Sequence, residues 1–305
     1  MGHLRVCLFG KFGVELDGHA VAGFEAGKVQ ELLCYLALHR QQPHRREKLA
    51  ALLWADASAA QSKRYLSKVL WQLQTAVDNL SPSATPCFVS ADPDWLQFNC
   101  QAPLWLDVNV FEQAFQQVRD VPGVQLPADA VARLQHTVSL YQADLLEGWY
   151  QDWCIFERER FQFMLLSMLD KLMQHAEAQG AYETAVSHGI RILRFDRARE
   201  HTHRRLIRLH YLSGNRTAAL RQYAHCVAAL KEELGVSPAA ATTELYRQVA
   251  ADALERPSLS PALNPSAASD HLLNRLKRIP AALSRLQRQI EQEIEAVEAA
   301  LNDTP

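Results

Sequence analysis

The segment SAAQSKRYLSKVLWQLQTAVDNL, residues 58–80, narrows the fold more than any other stretch of the chain. Read as a helix, it puts Leu66, Val69, Leu70, Leu73, Val77 and Leu80 on one side, at the three-to-four-residue spacing of a buried stripe. The opposite side collects Arg64, Ser67, Lys68, Trp71 and Thr75. A helix patterned this way needs a core beneath it. Its other face, an indole set among cations and hydroxyls, is unusual for a surface that meets only water.

The neighbouring segments supply the core. Residues 4–21, LRVCLFGKFGVELDGHAV, are β-branched and aromatic, punctuated by glycines, and predict short strands joined by tight turns. A helical stripe begins near Lys28 with Val29, Leu32, Leu33 and Leu36 and breaks at Pro43. HRREKLAALLWAD predicts a second short helix burying Leu49, Leu52 and Leu53. Ser58 is a good N-cap for the third. CFVSADPDWLQFN then predicts a hairpin around an Ala-Asp-Pro-Asp turn. Strands, three helices and a hairpin within about 100 residues is the order of a winged helix-turn-helix, with the hairpin as wing. An α-helix fits the DNA major groove, where base edges are distinguishable by hydrogen bonding.

Charge does not settle the matter. The net charge is −2 over 305 residues, and residues 1–100 hold ten Lys and Arg against nine Asp and Glu. Any nucleic-acid contact must therefore depend on where the cations sit. No apolar run approaches the roughly 20 residues that cross a bilayer, and the first residues do not read as a signal peptide. Cys7, Cys34, Cys87, Cys100, Cys154 and Cys226 form no C-x-x-C pair, which suits reduced thiols. The expectation is a soluble cytoplasmic protein with no membrane contact.

From residue 109 to 254 the pattern is helical. GAYETAV at 180–186 recurs as GNRTAAL at 214–220, a period of 34 residues that matches tetratricopeptide repeats. Ala185 and Ala219 take the small-residue position, and helices at 109–119, 128–141 and 155–178 are needed to complete the stack. PSLSPALNPSAAS at 257–269 is a linker. Beyond it Leu272, Leu276, Ile279, Leu283, Leu286 and Ile290 form a heptad seam, which slips in register before Ile294, Val297 and Leu301. Pro280 kinks or restarts that helix. Arginines and a lysine precede glutamates along it, which favours antiparallel pairing if it self-associates rather than folding back.

The fold expected is mainly α with a small β component. Residues 1–102 form a winged helix-turn-helix, 103–256 an all-α tetratricopeptide-like domain, 257–269 a linker and 270–305 an amphipathic, coiled-coil-like helix.

LRVCLFGKFGVELDG, GKVQELLCYLALHR, REKLAALLWAD and RYLSKVLWQLQTAV resemble successive pieces of the winged helix in the Streptomyces antibiotic regulatory protein family. LWLDVNVFEQAF, SLYQADLLEGWYQDWCIFERER and LRQYAHCVAALKEELGVSPAAATTELY resemble the bacterial transcriptional activator domain that follows it there. The resemblance spans roughly residues 4–250. It implies a sequence-specific DNA-binding transcriptional regulator, an activator, that binds double-stranded DNA at repeated half-sites. Its second domain would contact RNA polymerase or a neighbouring protomer. Carried over, the pattern makes Arg64, Ser67, Lys68, Trp71 and Gln72 the exposed recognition positions, with Arg45, Arg46 and Lys63 toward phosphates. Family members usually have a small polar residue in place of Trp71 and more arginine in place of Gln72 and Gln74, so this chain departs in its expected target and its charge.

Other readings remain open on sequence. The basic face could be an ordinary solvated one, and the chain a protein–protein adaptor whose winged helix no longer binds DNA. RILRFDRAREHTHRRLIR, residues 191–208, could hold an anion through Arg197, Arg204, Arg205 and Arg208, making a ligand-gated regulator, or simply be a repeat surface with ion pairs. His201 and His203 diverge on a helix, so no metal site is assigned. Catalytic motifs are absent: there is no G-x-S-x-G, H-E-x-x-H or phosphate loop, and Gly27-Lys28 runs on into Val29. No enzyme activity and no cofactor are expected.

Overall fold

The computed structural model describes residues 4–21, 23–24, 26–78, 89–99 and 104–254. Leu80, Cys87, Cys100, the linker at 257–269 and the helix expected at 270–305, with its heptad seam, lie outside the described residues.

Strands β1 (Leu4–Cys7), β2 (Gly13–Leu16) and β3 (His19–Ala20) form an antiparallel meander. Helix α1 (Gly27–Leu38) follows and buries Val29, Leu32, Leu33 and Leu36. Strand β4 (His44–Arg45) leads directly into α2 (Arg46–Leu53), and α3 (Ala59–Asp78) is the helix of the opening motif. The wing is β5 (Val89–Ala91) and β6 (Trp95–Phe98), with β4 hydrogen-bonded to the other edge of β6.

The apolar stripe of α3 works as its spacing predicts: Leu66, Val69, Leu70 and Leu73 are buried. At its start the Ser58 hydroxyl accepts the Gln61 backbone N–H, and the Gln61 side chain accepts the Ser58 N–H in return, each at 3.4 Å. One expectation fails. Leu52 is 41% exposed, because the eight-residue α2 packs only the edge formed by Leu49, Ala50 and Leu53. Lys28, which the sequence left without a task, donates to the Leu53 carbonyl at 2.6 Å and pairs with Glu31 at 2.7 Å, tying α1 to the end of α2.

After the wing, β7 (Leu104–Leu106) returns to pair in parallel with β1, Leu4 opposite Leu104 and Val6 opposite Leu106. The helices α4 (Asp107–Val118), α5 (Ala128–Leu140), α6 (Asp152–Ala178), α7 (Tyr182–Phe195), α8 (Glu200–Leu212), α9 (Arg216–Leu234) and α10 (Ala240–Ala250) then stack as successive neighbours. The 34-residue period corresponds to the turns before α7 and α9. Gly180 and Gly214 hold φ of +71° and +82° there, and Ala185 and Ala219 are fully buried one turn into each helix. A Cβ at Gly189 of α7 would lie 2.7 Å from a Leu206 methyl of α8, so a glycine sets that close approach.

SLYQADLLEGWYQDWCIFERER, one of the segments that resemble the activator domain, fastens the two halves together. Leu145 and Leu146 are buried, and Leu146 N–H donates to the Leu8 carbonyl at 2.8 Å. Gly10 N–H donates to the Asp144 carbonyl at 2.9 Å, and Glu147 N–H to the Gly10 carbonyl at 2.8 Å. Arg158 of α6 satisfies the carbonyls of Leu145, Leu146 and Trp149. Phe9 packs among Phe111, Tyr141 and Phe161, so apolar side chains from both halves share one continuous core. A charged chain runs along the same seam, with Arg40 and Arg160 both on Glu112 and Arg160 also on Glu157.

Candidate nucleic-acid interface

With its apolar stripe fixed in the core, α3 must present the opposite side outward. Arg64, Ser67 and Lys68 are exposed, Gln72 is half-buried, and Trp71 keeps 64% of its surface open. An indole left this open adds little of the burial free energy, roughly 1.5–3 kcal/mol for a large apolar side chain, that the core residues supply. Within the helix, Ser67 donates to the Lys63 carbonyl at 3.0 Å and Thr75 to the Trp71 carbonyl at 2.9 Å.

The wing stands beside this face. Its turn is an Asx turn: Asp92 Oδ1 accepts the N–H groups of Asp94 at 2.9 Å and Trp95 at 2.7 Å. Arg45 lays its guanidinium 5.2 Å from the centre of the Trp95 ring. Arg46 reaches the Asp92 carbonyl and the Ser67 hydroxyl. Lys63 pairs with Glu47 at 2.5 Å, and this contact holds the Glu47 carboxyl below its usual range.

The structure therefore gathers Arg46, Lys63, Arg64, Ser67, Lys68 and Trp71 around α3 and the start of α2, with Arg45 on the wing side. Four neighbours were not singled out on sequence: Glu47, Trp95 and the exposed carboxylates at the wing turn, Asp92 and Asp94. The Asp-Pro-Asp turn was legible, whereas the Glu47–Lys63 pair, 16 residues apart and on two helices, carries no local signature.

Of the arginines expected to hold an anion, Arg204, Arg205 and Arg208 line one cleft, and Arg197 is not among its lining residues. Arg205 is held by Asp170 at 2.7 Å and Glu177 at 2.9 Å, and Arg197 lies against Glu232 and Glu233. Arg204 donates to the Thr242 hydroxyl at 3.4 Å and shares with Arg205 and Arg208 a cleft of about 600 Å³ between α8 and α10, which Glu177 and Glu244 also line. His203 is buried and His201 exposed. Among the described residues no three His, Cys, Asp or Glu side chains converge as a metal site would require, and no helix is long and apolar enough to cross a membrane.

Residues 106–250 match the family model of the bacterial transcriptional activator domain. The chain carries a bacterial transcriptional activator domain. The matched segment follows the three helices and the β5–β6 hairpin in the chain. A solved structure of Mycobacterium tuberculosis EmbR in complex with a low-affinity phosphopeptide matches 84% of this chain and 67% of its own, with a TM-score of 0.60. At 17% identity the likeness is one of fold. No curated protein matches the chain in sequence. The matched segment begins at the end of β7, the strand paired with β1.

Proposed function

We propose that the protein is a cytoplasmic, sequence-specific activator that inserts α3 into the major groove of double-stranded DNA. Arg64 and Lys68 read base edges or adjoining phosphates, and Trp71 packs on a thymine methyl or a sugar. Arg45 and Lys63 flank the groove toward phosphates. The activator domain contacts RNA polymerase or a second protomer on a neighbouring half-site. One observation carries this reading: the cationic, indole-bearing face of α3 is open to solvent beside the wing.

The wing engages through Arg45 and Trp95 rather than its tip, since Asp92 and Asp94 would repel phosphates. Those carboxylates, with Glu47 on Lys63, also favour the competing reading of a protein–protein adaptor. Selection of bound duplexes from a random DNA library by the full-length protein separates the two. An activator enriches a motif, repeated at a fixed spacing, and is retained in a salt-sensitive way. An adaptor leaves the library unchanged.

A further inference from the structure

Arg46 opens α2 and touches three things at once. Its backbone N–H donates to the Asp94 carbonyl at 2.9 Å. One guanidinium nitrogen donates to the Asp92 carbonyl at 3.2 Å, and the other to the Ser67 hydroxyl at 3.4 Å. The first two acceptors belong to the wing turn and the third to the middle of α3. Each acceptor is itself held. Asp92 is locked in its Asx turn and also donates its N–H to the Trp95 carbonyl at 3.0 Å. Ser67 spends its proton on Lys63, which leaves its oxygen lone pairs for Arg46.

A planar guanidinium can serve two acceptors on different elements with one rigid group, which an ammonium on a flexible stem cannot reproduce. Arg46 is half-buried while its neighbour Arg45 is exposed. Its geometry is that of a brace across two elements rather than of a free cation awaiting a phosphate.

We infer that Arg46 is a positioning residue that sets the angle between the wing and α3, and not a phosphate contact. This rests on the DNA-reading role of α3. The wing and the helix approach a duplex as one rigid jaw, and their spacing decides whether Arg45 and Trp95 can engage while α3 is seated. Removing the brace costs affinity through lost pre-organisation, with the number of neutralised phosphates unchanged.

The test uses the full-length protein, a selected duplex, and the variants Arg46→Lys, Arg46→Met and Ser67→Ala, each checked by thermal melt. A brace predicts that Arg46→Lys and Arg46→Met weaken binding alike, on the order of tenfold, with the slope of log K against log salt unchanged. Ser67→Ala weakens it less, and adds nothing further in the Arg46→Met background. A phosphate contact predicts instead that Arg46→Lys binds as the parent does. It also predicts that Arg46→Met flattens the slope by about 0.9; either result overturns the inference. Amide exchange in the free protein supplies a readout without DNA. The Trp95 and Asp92 amides must exchange faster in Arg46→Met, and unchanged exchange would refute the brace by itself. A parent protein that binds no duplex would overturn the function, and faster exchange in that case would still leave the wing braced by Arg46.

Discussion

The carboxylate of Asp107, the first residue of α4, accepts the backbone N–H of Leu8 at 2.7 Å across 99 residues of chain. The same oxygen takes the Phe9 N–H at 2.9 Å, and the other oxygen takes Val108 N–H at 2.7 Å. Burial outweighs these three donors and pushes the carboxyl up to about 6, so the group is still ionised at neutral pH. Asparagine at this position turns an amide toward backbone donors and leaves at least one buried N–H without an acceptor. Asp107→Asn should cost about 3 kcal/mol, and with it about 6–12 °C in Tm. A melt within a degree or two of the parent would mean that Asp107 does not fasten the two halves.

His203 fixes a pH dependence of the helical stack. Its Nε2 lies 2.8 Å from the Arg197 carbonyl and therefore carries the proton, while Nδ1 lies 2.7 Å from the Gln222 amide nitrogen and accepts from it. A second proton would be set against that amide. Burial, the largest cause, holds the imidazole below its usual 6.5. As pH falls the unfolded chain takes up the proton first, so this contribution to stability is whole above about 6.5 and is lost below it. Denaturant midpoints taken from pH 7.5 downward should fall faster for the parent than for His203→Gln. Parallel curves would remove His203 as the cause.

Asp94 is exposed at the wing turn, where its backbone N–H donates to Asp92 and its carbonyl accepts Arg46 N–H. If the wing flanks the phosphate backbone, its carboxylate weakens binding. Asp94→Asn should then tighten DNA binding severalfold at low salt, with the gain shrinking as salt rises. No change at any salt would place the wing away from the duplex.

Trp71 is open enough that its removal should leave the melting temperature where it is. On DNA the same change, Trp71→Ala, should lower affinity on the order of tenfold and relax discrimination at one or two positions of the selected motif. Unaltered affinity and preference would reassign the indole to a protein partner.

Periodicity accounts for what could be read before any coordinates. Leu66, Val69, Leu70 and Leu73 share a face because 3.6 residues make a turn, and Ala185 and Ala219 are 34 residues apart because one helix pair is stacked on the next. Contacts between distant segments leave no such trace. The parallel pairing of Leu4 with Leu104, the Lys63–Glu47 pair and the hold of Asp170 and Glu177 on Arg205 follow from how helices and strands are placed, not from spacing. The exposed face of α3 was thus legible residue by residue. Its bracing by Arg46 and its acidic neighbours were not, and neither were the carboxylates that hold Arg197 and Arg205.

Dimethyl sulfate reactivity of a selected duplex bound by the full-length protein tests the central claim most directly, because guanine N7 lies in the major groove and adenine N3 in the minor. Seating of α3 predicts that guanine N7 positions within the motif are protected by the parent and become reactive again with the Arg64→Ala/Lys68→Ala/Trp71→Ala variant. Guanine N7 positions that stay fully reactive under a bound protein would contradict the placement of α3 in the groove.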